Sequence, residues 1–172
     1  MTPDEAKAFD PSLALRTLHD HGVRFVLIGG LAANVLGSPS LTYDLDICYA
    51  RDDANLVALA AALQKLGARL RGVRDPVPFR LDAQALRRGD SFTFTTEAGS
   101  VDVLATPSGT GGYEELEATA TEVELAGVSV KVASLDALMQ MKRAAARPKD
   151  LIELEVLAAL RDEMEQQKAQ CG

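Results

Sequence analysis

VRFVLIGGLAANVLGSPSLTYDLDICY, residues 23–49, holds two strand-like runs and the segment that joins them, and its reading decides the fold. Apart from Arg24, Val23 to Ile28 is β-branched, aromatic or aliphatic, the pattern of a buried strand. Gly29 and Gly30 end it. Leu31 to Leu36 is rich in helix formers and is closed by Gly37, so the local order is strand, tight glycine turn, short helix. Ser38, Pro39 and Ser40 then lead into Tyr43 to Tyr49, a second strand in which Leu45 and Ile47 point one way while Asp44, Asp46 and Cys48 point the other.

Two carboxylates on one strand face repel each other unless a cation neutralises them or both face water. Hard oxygen ligands of this kind suit magnesium, with manganese as a substitute, completed by water and substrate phosphates. A solvated edge-strand face is the alternative for such a pair taken alone. The diglycine before them lets the backbone approach a ligand closely, and the amides of the following helix attract phosphate, although a purely structural turn has the same sequence. A third carboxylate, Asp102, stands between Val101 and Val103 as Asp46 stands between Leu45 and Ile47. Three such groups fit a one- or two-metal site for phosphoryl transfer.

Around this stretch the chain alternates helices and strands. Leu13 to His21, after Pro11 and before Gly22, reads as a helix. Asp52 or Asp53 caps a long helix ending at Gly67, and Ala68 to Gly72 is a weak strand because Arg69 and Arg71 interrupt it. Val73 to Asp90 carries Pro76 and Pro78 and receives no element and no function. Ser91 to Thr96 and Ser100 to Ala105 form a hairpin, as do Glu122 to Ala126 and Val128 to Val132. Between these hairpins, the glycine-rich Thr106–Gly112 loop lacks the lysine of a phosphate loop and leads to a helix from Tyr113 to Ala118. Ser134 caps a helix to Ala146, and Pro148 begins a last helix to about Glu165. The expectation is an α/β fold, a small mixed sheet with helices packed on one face, in a single domain over residues 1–172 with a helical C-terminal portion from about residue 134.

Composition narrows the function classes. With 47% hydrophobic and 25% charged residues, the chain is a folded globular protein. No apolar run approaches the length of a membrane span, and Met1 to Asp10 lacks the features of a secretion signal, so a cytoplasmic location is expected, with no membrane partner. Cys48 and Cys171 read as two reduced thiols rather than a bridge. A net charge of −7 opposes broad attraction to nucleic acid but allows a local basic patch. His19 and His21 are far from any cysteine cluster, which argues against zinc.

Val26-Leu27-Ile28-Gly29-Gly30, thirteen intervening residues, Asp44-Leu45-Asp46-Ile47 and the later Val101-Asp102-Val103-Leu104 together resemble the signature of the nucleotidyltransferase superfamily of the polymerase-beta type. Within it the chain is similar to the small prokaryotic nucleotidyltransferases of abortive-infection and toxin-antitoxin systems, through Thr42 two residues before the first aspartate and the basic segment Lys142 to Asp150. The resemblance implies a metal-dependent transfer of a nucleoside monophosphate from a nucleoside triphosphate to a hydroxyl acceptor, such as a transfer RNA or a protein. It implies that Asp44, Asp46 and Asp102 bind magnesium and act in catalysis, that Gly29 and Gly30 hold the triphosphate, and that Lys142 or Lys149 reaches it. An operon partner protein goes with the same systems. One departure stands out: many active members carry serine where this chain has Gly30, so a nucleotide-binding or interaction module without catalysis is the alternative. For the basic residues, attraction to the end of a helix dipole is a complete structural explanation. Asp150 is read as a helix cap or a partner of a basic side chain. Tyr43 and Tyr49, beside the aspartates, read as ordinary strand residues.

Overall fold

The computed structural model describes residues 7–73 and 79–171. Residues 1–6, and Pro76 and Pro78, which the sequence marks as breakers, lie outside the described residues.

Asp10 accepts a hydrogen bond from the Leu13 amide at 3.1 Å, and Pro11, which has no amide proton to satisfy, starts α1 (Pro11–Asp20). Then come β1 (Phe25–Ile28), α2 (Gly29–Val35), β2 (Asp44–Tyr49) and α3 (Asp53–Lys65). Asp52 is the cap of α3, accepting from the Asn55 amide at 3.0 Å. The short β3 (Arg69–Leu70) and α4 (Ala83–Arg88) precede the hairpin of β4 (Ser91–Thr96) and β5 (Gly99–Leu104). After α5 (Tyr113–Thr119) come the hairpin of β6 (Thr121–Leu125) and β7 (Val128–Val132), then α6 (Leu135–Ala145) capped by Ser134, and α7 (Pro148–Cys171).

Most element ends shift by one or two residues from the sequence reading, and three elements differ in a way that has a physical reason. The helix α4 lies in the stretch that received no element: six residues are too few for a helical period to show, although Asp82 caps it through the Ala85 amide at 2.9 Å. α2 begins at Gly29 itself, so the glycine pair is its first turn rather than a loop before it. α7 runs past Glu165 to Cys171, because Gln166 to Gln170 contain no breaker.

The strands form one mixed sheet in the order β3-β4-β5-β2-β1-β7-β6. β2 lies at its centre, antiparallel to β1 and parallel to β5. Leu45 and Ile47 of β2 pair in register with Val101 and Val103 of β5, and all four are buried on one face with Phe94 of β4. α1 packs on α3, α3 on α4, and α6 on α7. Among the described residues no helix is long and apolar enough to cross a membrane. Cys48, whose thiol burial pushes up to about 12, and the exposed Cys171 are both free.

Asn55 locks the end of the central strands to α3. Its side chain is buried, accepts from the Arg24 amide at 2.7 Å, and donates to the Arg24 and Ala50 carbonyls at 3.0 and 2.7 Å. Removing it leaves backbone groups dry and unpaired. Asn55→Ala should lower unfolding stability by about 3 kcal/mol, read as a shifted denaturant midpoint at unchanged slope. A change under about 0.5 kcal/mol, typical of surface positions, would show that water replaces the side chain.

Candidate active site

Period-two alternation sends Asp44 and Asp46 to the face of β2 opposite the buried Leu45 and Ile47. The parallel register then places Asp46 directly across from Asp102 of β5, and Asp44 across from Ser100. The three aspartates expected from the sequence are therefore brought together on one face at the middle of the sheet. They differ in exposure: the Asp44 side chain is 51% exposed and that of Asp102 only 21%. Burial pushes the Asp46 carboxyl up to about 7, and the neighbouring charges of Asp102 and Asp44 add to it, against the opposing charge of Lys142. A carboxyl that resists ionisation at neutral pH marks a place where negative charge is buried and crowded.

Gly29 sits against this carboxyl. Its φ of +72° is one that side chains rarely adopt, and a Cβ there would overlap Oδ2 of Asp46 and lie 2.9 Å from its Cβ and Cγ. Gly30 has a different reason: a Cβ at that position would come within 2.8 Å of both Cβ and Oγ1 of Thr42. The serine that the family resemblance leads one to expect here does not fit without moving Thr42, whose hydroxyl occupies the adjacent space. The sequence shows the departure at Gly30, and the structure shows its steric partner.

Of the cations in the basic segment only Lys142 is partly buried, while Arg143, Arg147 and Lys149 are exposed. Asp150, with a fully buried side chain, accepts from Nε of Arg147 at 2.6 Å, from the Arg147 amide at 3.1 Å and from Nζ of Lys142 at 3.4 Å. Lys142 also pairs with Glu153. The Arg147 hydrogen bond holds the Asp150 carboxyl down to about 2. Asp150 thus both bonds the amide at the start of α7 and pairs with basic side chains, as expected. Gly29, Gly30, Asp44, Asp46, Asp102, Lys142 and Lys149 all line one cavity of 490 Å³, within the size range of small-molecule sites. Among the described residues no three or more His, Cys, Asp or Glu side chains are gathered into a ready-made metal cage.

The sequence reading did not single out Arg71, whose guanidinium lies 2.5 Å from Oδ1 of Asp102 and 3.8 Å from Oδ1 of Asp44. Its signal was present as the alternation of Arg69 and Arg71, which weakens a strand by propensity but also gives both side chains one face. Tyr43 and Thr42 line the cavity, whereas Tyr49 is fully buried.

A family model described as aminoglycoside-2''-adenylyltransferase matches residues 13–157. No curated protein matches the chain. Among solved structures, the chain is similar to the lincosamide antibiotic adenylyltransferase LnuA, lincomycin-bound, at a TM-score of 0.58 and 15% identity, covering 90% of this chain and 99% of that one. It is also similar to the antibiotic-resistance factor ANT(2'')-Ia, at a TM-score of 0.52 and 17% identity, covering 92% and 91%. A complex of the latter with adenylyl-2''-tobramycin gives a TM-score of 0.50 at 16% identity, covering 90% and 94%. At these identities the likeness establishes the fold.

Two outcomes follow from the geometry. Asp150→Asn removes a buried charge from two basic partners, and because Arg147 remains largely exposed the cost should be about 2 kcal/mol. Since the Asp150 carboxyl is depressed from 3.8 to about 2, its contribution is present above pH 3.8 and lost as pH falls towards 2. The wild-type and variant stabilities should therefore converge on acidification in urea titrations, and a constant difference down to pH 2 would contradict the assignment.

Proposed function

The chain belongs to the aminoglycoside-2''-adenylyltransferase family, and we propose that it transfers adenosine monophosphate from ATP to a hydroxyl of a small, amine-bearing sugar. The observation that carries this reading is the facing pair Asp46 and Asp102, with Asp44 on the same side, in one cavity with the glycine pair. Three hard carboxylate oxygen donors, whose mutual repulsion adds to burial in raising the Asp46 carboxyl, fit magnesium, or manganese in its place. A bound divalent ion supplies charge neutralisation at the α-phosphate and acidifies the acceptor hydroxyl.

The chain's own residues do the rest. Asp44 and Asp46 would hold the ion with Asp102. Gly29 and Gly30, at the first turn of α2, let the triphosphate approach the backbone closely, and Lys142 or Lys149 faces its negative charge. The acceptor oxygen forms a bond to the α-phosphorus as the bond to the bridging oxygen breaks and pyrophosphate leaves. Asp102 takes the proton from the acceptor hydroxyl. Because Gly30 carries no hydroxyl, Thr42 is the nearest side chain to take over that contact.

Charge favours a cationic small acceptor over RNA. The net charge of −7 attracts an amino sugar and repels a phosphate backbone. Within the basic segment Lys142 and Arg147 are already paired with Asp150 and Glu153, which leaves Arg143 and Lys149 as its exposed cations. The transfer RNA or protein acceptor and the operon partner that go with the toxin resemblance therefore give way to a small molecule in this reading. A cytoplasmic location, where ATP is present, goes with it.

Incubation with α-labelled ATP, magnesium and a panel of aminoglycosides should give labelled sugar and pyrophosphate. Asp44→Ala and Asp46→Ala should both abolish the metal-dependent transfer while leaving the fold intact. Asp102→Asn should cut single-turnover transfer by about a hundredfold or more with ATP affinity changed far less. Transfer at the wild-type rate in all three variants would overturn the reading, and label found on RNA or protein but on no sugar would overturn the choice of acceptor.

A further inference from the structure

Arg71 reaches the carboxylates from the sheet edge. Its amide bonds the Thr93 carbonyl at 3.0 Å, and Thr93 pairs with Asp102 in the next strand, so the Arg71 side chain crosses over β4 to meet β5. One guanidinium nitrogen lies 2.5 Å from Oδ1 of Asp102 and another 3.8 Å from Oδ1 of Asp44. The side chain is one-third exposed. A planar, permanently charged fork is thus laid across two of the three carboxylates.

We propose that Arg71 is the resident counter-ion of this site: it neutralises Asp102 and Asp44 in the ligand-free protein and competes there with the divalent cation. This rests on the reading of the three aspartates as metal-binding. Coulomb attraction to the same two carboxylates is what both cations use, so a metal entering alone must break the guanidinium contacts. Only the side chain has to move, because the backbone of Arg71 stays bonded to Thr93. The consequence is a site that takes a bare ion poorly. If the paired arrangement holds nine-tenths of ligand-free molecules, the apparent affinity for a bare ion is lowered about tenfold. Negatively charged phosphates offer the displaced guanidinium a new partner, so a metal and a triphosphate arriving together do not meet the same penalty.

The test is a titration of nucleotide-free protein with Mn2+, read by electron paramagnetic resonance, for wild type, Arg71→Gln, Arg71→Lys and Asp46→Asn. Arg71→Gln should bind Mn2+ about tenfold more tightly than wild type. Arg71→Lys keeps the charge but cannot span both carboxylates, and should fall between the two. Asp46→Asn should bind more weakly than wild type. A guanidinium that only braces the sheet edge predicts unchanged or weaker binding in Arg71→Gln with binding still lost in Asp46→Asn, which overturns this inference and leaves the metal reading standing. No Mn2+ binding by any form, with or without ATP, overturns both. If Arg71→Gln does not fold, Arg71→Lys decides, and wild-type affinity there overturns the proposal.

Discussion

Two carboxylates held directly opposite each other on paired parallel strands are a standing electrostatic cost, and the site is organised around it. The register between β2 and β5 puts Asp46 across from Asp102, and alternation adds Asp44 to the same face. Burial and like charge then push the Asp46 carboxyl up to about 7. Nothing in packing requires this arrangement, since neutral residues would satisfy the same strands at lower cost. Strain of this kind is retained where a ligand relieves it. In the ligand-free chain the relief comes from cations at the margin: Arg71 on Asp102 and Asp44, and the charge of Lys142 near Asp46.

The surrounding structure holds the pair in place rather than softening it. The opposite face of the same strands is filled by Leu45, Ile47, Val101 and Val103, so a slip of one residue would bury the aspartates and expose the core. Gly29 removes the one side chain that would collide with Asp46, which ties the first turn of α2 to the carboxylate face. Thr42 does the same for Gly30 from the other side, by filling the space that a side chain there would need. Asp150 draws Lys142 and Arg147 together at the junction of α6 and α7, so the C-terminal helices deliver a basic side chain to the cavity.

Much of this was legible in the sequence because it is local or periodic. The alternation in Asp44-Leu45-Asp46-Ile47 and in Val101-Asp102-Val103 fixes which residues share a face, and the glycine pair announces a close backbone approach. Ser134, Asp52 and Pro11 mark helix starts by their capping chemistry. What could not be read was set by pairing across the sheet. The register that puts Asp46 opposite Asp102 rather than one pair away is a tertiary fact. Arg71 looked like a defect in a weak strand, and became a partner of the site only once β3 was placed on β4. The contact between Gly30 and Thr42 spans a loop whose path the sequence does not give, and α4 is too short to carry a period.

The central claim is that the carboxylate face of β2 and β5, beside Gly29, is where a metal and a triphosphate meet. Paramagnetic broadening by Mn2+ with ATP, read residue by residue from amide resonances, tests it directly. The account predicts loss of signal at Gly29, Gly30, Asp46 and Asp102, with the far end of α7 unaffected. Broadening centred instead on the acidic surface of α7, at Asp162, Glu163 and Glu165, with the β2 and β5 amides sharp, would contradict it.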